Sequence, residues 1–507
     1  MTAPLDVVST RRRRGPILGY LNPKSAHHRT KVASVRHEHA GGAKVQPARL
    51  IPVSGIGSEK EAETRATSAV LAVLSVVRDL STEIFSPLGA SKAKRATVEA
   101  FIEPIYKVEK RRLRPDGLVR ITFGKNVWSC FVEVKVGDSH HTPEQVNDYW
   151  DLARSEGVNH VLTISNEIAP NPAIHPLSSD LRMRSNSKVQ VSHLSWTRLL
   201  TTAVKLKQHA GVDDSEQAWL LFELIRYLEH SASGALAFSD MGPSWVQVRD
   251  GAKAGTLDKR VEGIEDVVNR WDQLIFYAAL KLGADTGEDV TQVLPKALQD
   301  PRVRAQKRAE SLIGDGELDG VLRIPNTAGD VQICADLRGQ QLVLAVELTT
   351  PEDRGARARV TWVVNQLSDA PSDLVLESYR KNARQCTSAP LGEIREDRLR
   401  ALGEDPRDPA RFRLVRRVPM GLGRRTGKKN PGFIDSVLDT INDFYAEVVQ
   451  ALTAWQPPAP RIKRPLQIHS ESEQSQGHPE DIADPDLSKE FVSTSPGSLL
   501  PPDASNP

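Results

Sequence analysis

An acid and an amine stand two residues apart in the strand-like run Trp128–Gly137, WSCFVEVKVG. The run is rich in aromatic and β-branched residues, which predicts a β-strand. Because strand residues two apart share a face, Glu133 and Lys135 are expected on one side and the intervening valines on the other, in a core. A carboxylate and an ammonium on an apolar strand are costly to bury unless they pair or bind an ion. The pair is therefore the centre of a candidate site.

A second carboxylate, Asp116, directly precedes the adjoining segment 117–126. This segment alternates as a strand does, and its Gly-Lys-Asn end provides the residues of a hairpin turn. An antiparallel hairpin would place Asp116 beside Glu133. Two neighbouring carboxylates repel each other, and a hard divalent cation, Mg²⁺ (or Mn²⁺), relieves that repulsion. With Lys135 beside them, the expected chemistry is activation of water or neutralisation of a scissile phosphate.

The elements that must position these side chains follow a recognisable order. Hydrophobic periodicity predicts helix, three strands, helix and strand. These elements are expected at residues 58–79, 101–111, 117–126, 128–137, 143–156 and 158–166, with a closing strand and helix within 188–206. Glu63 lies on the first helix, on the face of its apolar residues, and Gln145 and Tyr149 stand one turn apart on the second.

This order of elements and acids resembles the PD-(D/E)xK nuclease superfamily over about residues 55–210. The resemblance implies a restriction-endonuclease-like α/β core in which Asp116 and Glu133 bind the metal and Lys135 is the catalytic lysine. It implies a metal-dependent nuclease that hydrolyses phosphodiester bonds in nucleic acid, with DNA as the favoured substrate and defence or DNA repair as the setting. Some members keep the fold without turnover, so an inactive DNA-binding or protein-interaction (stress-response) module is the alternative.

The resemblance also assigns residues outside the hairpin. Glu63 would be the additional metal-binding acid on the first helix, with Glu59 its rival one turn earlier. Gln145 and Tyr149 match the Gln-x-x-x-Tyr helix of the RecB-like branch, which implies a catalytic role for both.

Length and composition limit the remaining interpretations. A chain of 507 residues predicts two or three domains. Its three cysteines are far apart, which argues against a disulfide scaffold and for a reducing compartment. No apolar stretch approaches the roughly 20 residues of a membrane span, and the N-terminus lacks the apolar core of a signal peptide. We therefore expect a cytoplasmic protein without a membrane partner. The net charge of +2 by itself indicates nothing about nucleic acid.

Changes in composition predict five segments. A disordered basic arm is expected because the first residues contain RRRRG and show no sustained periodicity, and a disordered tail because the last are rich in Ser, Pro and acids. The predicted boundaries are 1–55 for the arm, 56–210 for the nuclease-like domain, 211–300 for a helical connector, 301–456 for a C-terminal α/β or α+β domain, and 457–507 for the tail. Within the connector, 235–253 is predicted as a loop and short strand with an exposed Trp245.

The predicted C-terminal domain repeats part of the first pattern. Asp336 and Glu347 lie on successive predicted strands and echo the first pair of acids, but Thr349 stands where a lysine would be expected. Two interpretations stay open: a degenerate second nuclease-like core, or an ordinary sheet with surface acids. The ordinary sheet is favoured.

A basic segment late in this domain, RRVPMGLGRRTGKKNPG, combines Arg and Lys with Gly. Glycine lets backbone approach a phosphate, and guanidinium groups bind phosphate bidentately. A nucleic-acid contact is therefore predicted, with a solvated loop or an interface to an acidic protein partner as the alternatives. The predicted contact residues are Arg416, Arg417, Arg424, Arg425, Lys428 and Lys429.

Overall fold

Two seven-stranded β-sheets with their helices make up the described part of the chain. The structure is a computed structural model. It describes residues 59–456 except 109–110, 170–174, 179, 185, 231–232, 236, 406 and 428–429, and the backbone alone of 44–47 and of residue 59. Over this range the fold is mixed α/β, as the sequence predicted, and it contains eleven α-helices. None of the described helices has both the length and the apolar character needed to cross a membrane.

The first sheet and the helices around it follow the predicted order of helix, three strands, helix and strand. Its strands lie in the order β1-β2-β4-β5-β6-β7, with β3 paired to β2. Strands β2, β4 and β5 form an antiparallel meander, whereas β5, β6 and β7 are parallel. The elements are β1 (Lys44–Pro47), α1 (Glu59–Val76), α2 (Arg78–Phe85), β2 (Thr97–Val108), β3 (Arg111–Leu113), β4 (Gly117–Phe123), β5 (Asn126–Val134), α3 (Pro143–Glu156), β6 (His160–Ser165), β7 (Gln190–Ser195), α4 (Trp196–Lys205) and α5 (Ser215–Glu229).

Local sequence signals explain some boundaries and miss others. Helix α3 begins where the Thr142 side chain accepts a hydrogen bond from the backbone N–H of Gln145, and it ends at Gly157, whose φ is 69°. The predicted single helix 58–79 is instead two helices, because the backbone is extended at Val77. Strand β1 lies within the predicted disordered arm and pairs with β2, so this part of the arm is a strand. The rest of the arm and the tail lie outside the described residues.

Strand β5 is covered on both faces. Val132, Val134 and Val136 pack into a core with α1, α2, α4 and α5. Phe131 packs on the opposite face with residues of α3. Glu133 shares the face of Phe131 and is only 2% exposed. The strand that carries the candidate site is therefore central and buried, and its acid is removed from bulk water.

The second sheet is antiparallel throughout its described pairs, in the order β13-β12-β14-β11-β10-β9-β8. Helix α5 of the predicted connector joins the first core, whereas α6 and α7 join the core under the second sheet. The elements are α6 (Trp245–Ala254), α7 (Ile264–Thr286), β8 (Thr291–Gln292), α8 (Pro301–Gly314), β9 (Glu317–Arg323), β10 (Val331–Asp336), β11 (Gln341–Thr349), α9 (Ala356–Gln366), β12 (Val375–Arg380), β13 (Cys386–Pro390), α10 (Leu391–Glu396), β14 (Pro409–Pro419) and α11 (Phe433–Glu447).

The prediction for residues 235–253 is correct for the loop before residue 245 and wrong for the short strand and for the exposed Trp245. Trp245 begins helix α6 and is completely buried. Its ring lies 4.4 Å from that of Phe433, and its indole N–H donates to the carbonyl of Leu422 at 3.2 Å. The partners are 177 or more residues away, so the local pattern around Trp245 contained no sign of its burial.

Candidate active site

In the β4–β5 hairpin, the carboxylates of Asp116 and Glu133 each accept a hydrogen bond from the backbone of the opposite strand. Gly117 pairs with Val132, so Asp116 and Glu133 stand at the same end of the two strands. The N–H of Val134 donates to Oδ2 of Asp116 at 2.8 Å. In return, the N–H of Asp116 donates to Oε2 of Glu133 at 3.3 Å. These reciprocal bonds fix both carboxylates at one position on the sheet.

Lys135 and Glu63 complete the cluster. The Lys135 Nζ lies 3.4 Å from Oε1 of Glu133 and 3.4 Å from Oε2 of Glu63. Helix α1 packs on the sheet through its apolar residues, and this packing brings Glu63 to a lysine 72 residues away. The side chain of Glu59, the rival acid, lies outside what the structure describes. The structure thus brings Glu63, Asp116, Glu133 and Lys135 together, and their chemical roles stay predictions.

The two predicted helix residues contact the acids or their support. The Gln145 amide donates to Oε1 of Glu133 at 2.6 Å. The Tyr149 hydroxyl donates to the backbone carbonyl of Arg114 at 3.1 Å, two residues before Asp116. Gln145 therefore orients one carboxylate directly, whereas Tyr149 holds the backbone that carries the other.

A cleft of about 400 Å³ opens onto these six side chains and includes residues that the sequence prediction missed. Glu103 and Arg114 form an ion pair at 3.4 Å on its wall. Glu103 has a φ of 49°, and its N–H donates to the carbonyl of Asp116 at 2.9 Å. Lys60 also lines the cleft. The argument used for Glu133, an acid within an apolar strand, would have singled out Glu103 as well.

Burial sets the electrostatics of the cluster. It raises the pKa of Glu133 to about 8, and the neighbouring Asp116 carboxylate adds to the effect. Burial likewise raises the pKa of Asp116 to about 6. Burial alone would lower the pKa of Lys135, but the carboxylates of Glu133, Asp116 and Glu63 raise it overall. Lys135 therefore carries a proton at neutral pH, which favours a charge-stabilising role over that of a base.

These shifts predict that Mg²⁺ stabilises the protein more strongly as pH rises. The native pKa values of Asp116 and Glu133 lie above their ordinary values of 3.8 and 4.5, so the metal-free native state binds protons more tightly than the unfolded chain. Its stability should fall as pH rises through about 6 and about 8, and a divalent cation replaces the lost protons. Tm measured with Mg²⁺ or EDTA should diverge across this window. The Glu133→Gln variant should diverge less, and an Mg²⁺ effect independent of pH would contradict the assignment.

Asp116 and Glu133 are the residues that could hold Mg²⁺. They offer the oxygen ligands that Mg²⁺ prefers, and this ion commonly binds through one or two carboxylates while keeping several waters. Within the described ranges, no group of three or more acidic, histidine or cysteine side chains converges to hold a metal ion by itself. Glu63 contacts Lys135 instead. The pair thus fits a hydrated Mg²⁺ ion rather than a site closed by protein ligands.

The second sheet has an acid pair at the same register positions, but with a different residue from the one predicted. Val331 pairs with Val346, as Gly117 pairs with Val132, so Asp330 and Glu347 occupy the register positions of Asp116 and Glu133. The predicted Asp336 lies at the far end of β10, where it accepts a hydrogen bond from Gly339.

Arginines neutralise this second pair. Asp330 pairs with Arg323 at 2.7 Å, and Glu347 pairs with Arg411 at 2.9 Å. Arg411 belongs to β14, which lies between β11 and β12, whereas in the first sheet β5 and β6 are direct neighbours. The favoured interpretation, an ordinary sheet with surface acids, agrees with these contacts, since both acids are partly exposed and paired with arginines.

Three of the predicted basic residues, Arg416, Arg424 and Arg425, form ion pairs with acids. Arg424 and Arg425 both pair with Asp240, at 3.0 and 2.9 Å. Arg416 pairs with Glu447, and Arg417 is exposed. Lys428 and Lys429 lie outside the described residues. For Arg416, Arg424 and Arg425, a phosphate would share the guanidinium group with a carboxylate.

Comparison of the chain with protein-family models, with curated proteins and with solved structures finds no match.

Proposed function

We propose that the chain is a metal-dependent nuclease of the PD-(D/E)xK type, with DNA as its substrate. The observation that carries the proposal is the Lys135 ammonium, which lies 3.4 Å from Glu133 beside an open cleft, where backbone N–H groups of the hairpin hold the carboxylates of Glu133 and Asp116 at the same position. The order of α1, the β2-β4-β5 meander, α3 and parallel β6 supports a restriction-endonuclease-like core.

Each side chain has a distinct task in this proposal. Asp116 and Glu133 would hold Mg²⁺ (or Mn²⁺), which when bound supplies Lewis-acid activation of water and the scissile phosphate. Lys135 stays cationic and neutralises charge that develops on the phosphate. Gln145 keeps Glu133 oriented through its 2.6 Å hydrogen bond. Tyr149 fixes the backbone before Asp116, so it is a positioning residue.

Glu63 has two tasks open to it. Its contact with the Lys135 ammonium keeps that group in place, since an ion pair that is largely shielded from water is screened little by salt. As the additional metal-binding acid, it would have to turn from the lysine toward the acid pair. The proposal includes the basic segment around Arg417 as a contact to nucleic acid. It also includes a protein partner that binds the C-terminal domain.

Cleavage assays test the proposal directly. Purified protein should degrade DNA with Mg²⁺ or Mn²⁺ and stop when EDTA is added. Lys135→Ala should lower the rate about a hundredfold, as removal of one preorganised charge-stabilising group does, while metal binding by calorimetry is kept. Lys125→Ala, an exposed lysine at the opposite end of the hairpin, is the matched control and should cleave normally.

The outcome also separates the two classes of function. DNA binding without cleavage in either metal would assign the chain to the inactive DNA-binding alternative. Cleavage of RNA but not DNA would keep the chemistry and correct the substrate. Equal cleavage by the wild type and Lys135→Ala would remove the lysine from the mechanism.

A further inference from the structure

Helix α5 exposes two aromatic side chains on its outer face. Trp219 is 59% exposed, more than any other large hydrophobic residue of the described chain, and Phe222, one turn on, is 38% exposed. The inner face of the same helix is occupied by buried Leu221, Leu224, Ile225 and Leu228. Core packing therefore accounts for α5 without Trp219 or Phe222. A single exposed apolar residue is ordinary, whereas an adjacent aromatic pair calls for a reason.

Two cations lie beside the Phe222 ring, one turn from Trp219. The Lys207 ammonium lies 4.0 Å from the centre of the Phe222 ring, and the Arg226 guanidinium carbon lies 5.6 Å from it. Lys207 belongs to the π-helical turn Leu206–Ala210 that follows α4, a type of turn that is frequent at functional sites. Arg226 also pairs with Glu223 at 3.1 Å. Exposed aromatic rings beside cations are the chemistry that binds unpaired nucleic acid, because rings stack on bases and cations follow phosphates.

Helix α5 and the residues after it contact elements that form the candidate active site. Near its start, the Gln217 side chain accepts a hydrogen bond from the N–H of Arg78, which begins the helix after α1. Beyond its end, the carbonyl of Gly234 accepts from the N–H of Gly137 at 2.9 Å. Gly137 is two residues from Lys135. The start of α5 thus lies at the far end of α1, and Gly234, five residues beyond the end of α5, contacts the strand end that holds the candidate cluster.

We propose that Trp219 and Phe222, with Lys207 and Arg226, form a stacking platform for single-stranded DNA. A base stacks on the exposed indole of Trp219, Phe222 extends the apolar surface beside it, and the two cations over the Phe222 ring contact the adjoining phosphates. That the bound DNA strand continues to the candidate active site rests on the proposed nuclease function. The platform narrows the proposed substrate to DNA with an unpaired segment. Binding to the platform requires neither the metal nor cleavage.

Binding measured in EDTA tests the platform apart from catalysis. Fluorescence anisotropy with labelled oligothymidylate should show affinity about tenfold weaker for Trp219→Ala, the loss expected when one base stack is removed. Affinity for a blunt duplex should not change. Trp219→Phe should keep most of the single-strand affinity but lose part of the tryptophan quenching that DNA causes in the wild type. Unaltered Tm values would show that the variants are folded.

Phe123→Ala is the matched control, because Phe123 is another exposed aromatic, 44% exposed, at the end of β4 away from Asp116. It should bind oligothymidylate as the wild type does. The platform is overturned if the wild type does not bind oligothymidylate, if Trp219→Ala binds it equally well, or if Trp219→Ala loses duplex affinity to the same extent. Normal Mg²⁺-dependent cleavage alongside any of these results would leave the nuclease proposal standing and assign the aromatic pair to a protein contact.

Discussion

Glutamine in place of Glu133 is expected to lower the rate of metal-dependent cleavage by roughly a thousandfold or more. The metal contributes several kcal/mol of charge stabilisation, and this substitution removes one of its two proposed carboxylates. Asp116→Ala should have the same effect, because both acids stand at one position on the hairpin. DNA affinity should largely persist in both variants, since phosphate contacts dominate it. Steady-state cleavage assays measure the rate, and binding assays in the presence of EDTA measure the DNA affinity separately.

The chain contains a matched control for this experiment. Glu347 occupies the same register position in the second sheet but pairs with Arg411. Glu347→Gln should therefore cleave like the wild type, although it makes the same chemical change on the same type of strand. Equal activity of Glu133→Gln and wild type would assign the observed cleavage to a contaminant. Loss of activity in Glu347→Gln would mean that the second sheet contributes to catalysis, which the pairing of Glu347 with Arg411 argues against.

Alanine in place of Asp272 is expected to destabilise the protein by about 3–5 kcal/mol, the usual cost of breaking a buried ion pair from one side. Asp272 on α7 accepts a hydrogen bond from the Arg304 guanidinium at 2.6 Å and also contacts Arg308. All three side chains are almost completely buried. Without the carboxylate, two guanidinium groups of α8 would remain buried without their shared counter-charge. Urea unfolding measures the difference in free energy of unfolding.

Asp285→Ala is the control for that measurement, because Asp285 is an exposed acid on the same helix. Its effect should stay within about 0.5 kcal/mol, as for most surface substitutions. A similar small effect for Asp272→Ala would mean that the arginines find other partners or water. In that case, the buried ion cluster would not be what joins α7 to α8.

The hairpin was predictable because its geometry is local. Period-two alternation placed Glu133 and Lys135 on one face, and the Gly-Lys-Asn turn set the register that brings Asp116 to Glu133. The second acid pair shows the limit of the same reasoning. The sequence pattern did not fix the register between β10 and β11, and Asp336 was predicted as the partner of Glu347. The observed pairing of Val331 with Val346 places Asp330 in that position instead. A shift of a few residues moves an acid from one end of a strand to the other.

Charge partners were the least predictable feature. The basic segment suggested free cations, but Asp240, about 185 residues earlier in the chain, pairs with both Arg424 and Arg425. Composition reports how many charges a segment carries and not which opposite charges the fold brings to them. The same limitation hid the Glu103–Arg114 pair on the wall of the cleft.

The sequence by itself determined the α/β class, the strand that carries Glu133 and Lys135, and helix α3 with its Gln145 and Tyr149, because residues within a few positions of one another control these features. Only the tertiary structure decided that Glu63 meets Lys135, that Trp245 is buried against Phe433, and that the second acid pair is held by arginines. The Glu63–Lys135, Trp245–Phe433 and Glu347–Arg411 contacts each join residues more than 60 positions apart. They form because helices and sheets must bury their apolar faces against one another, and that packing brings together side chains whose local sequences contain no information about their partners.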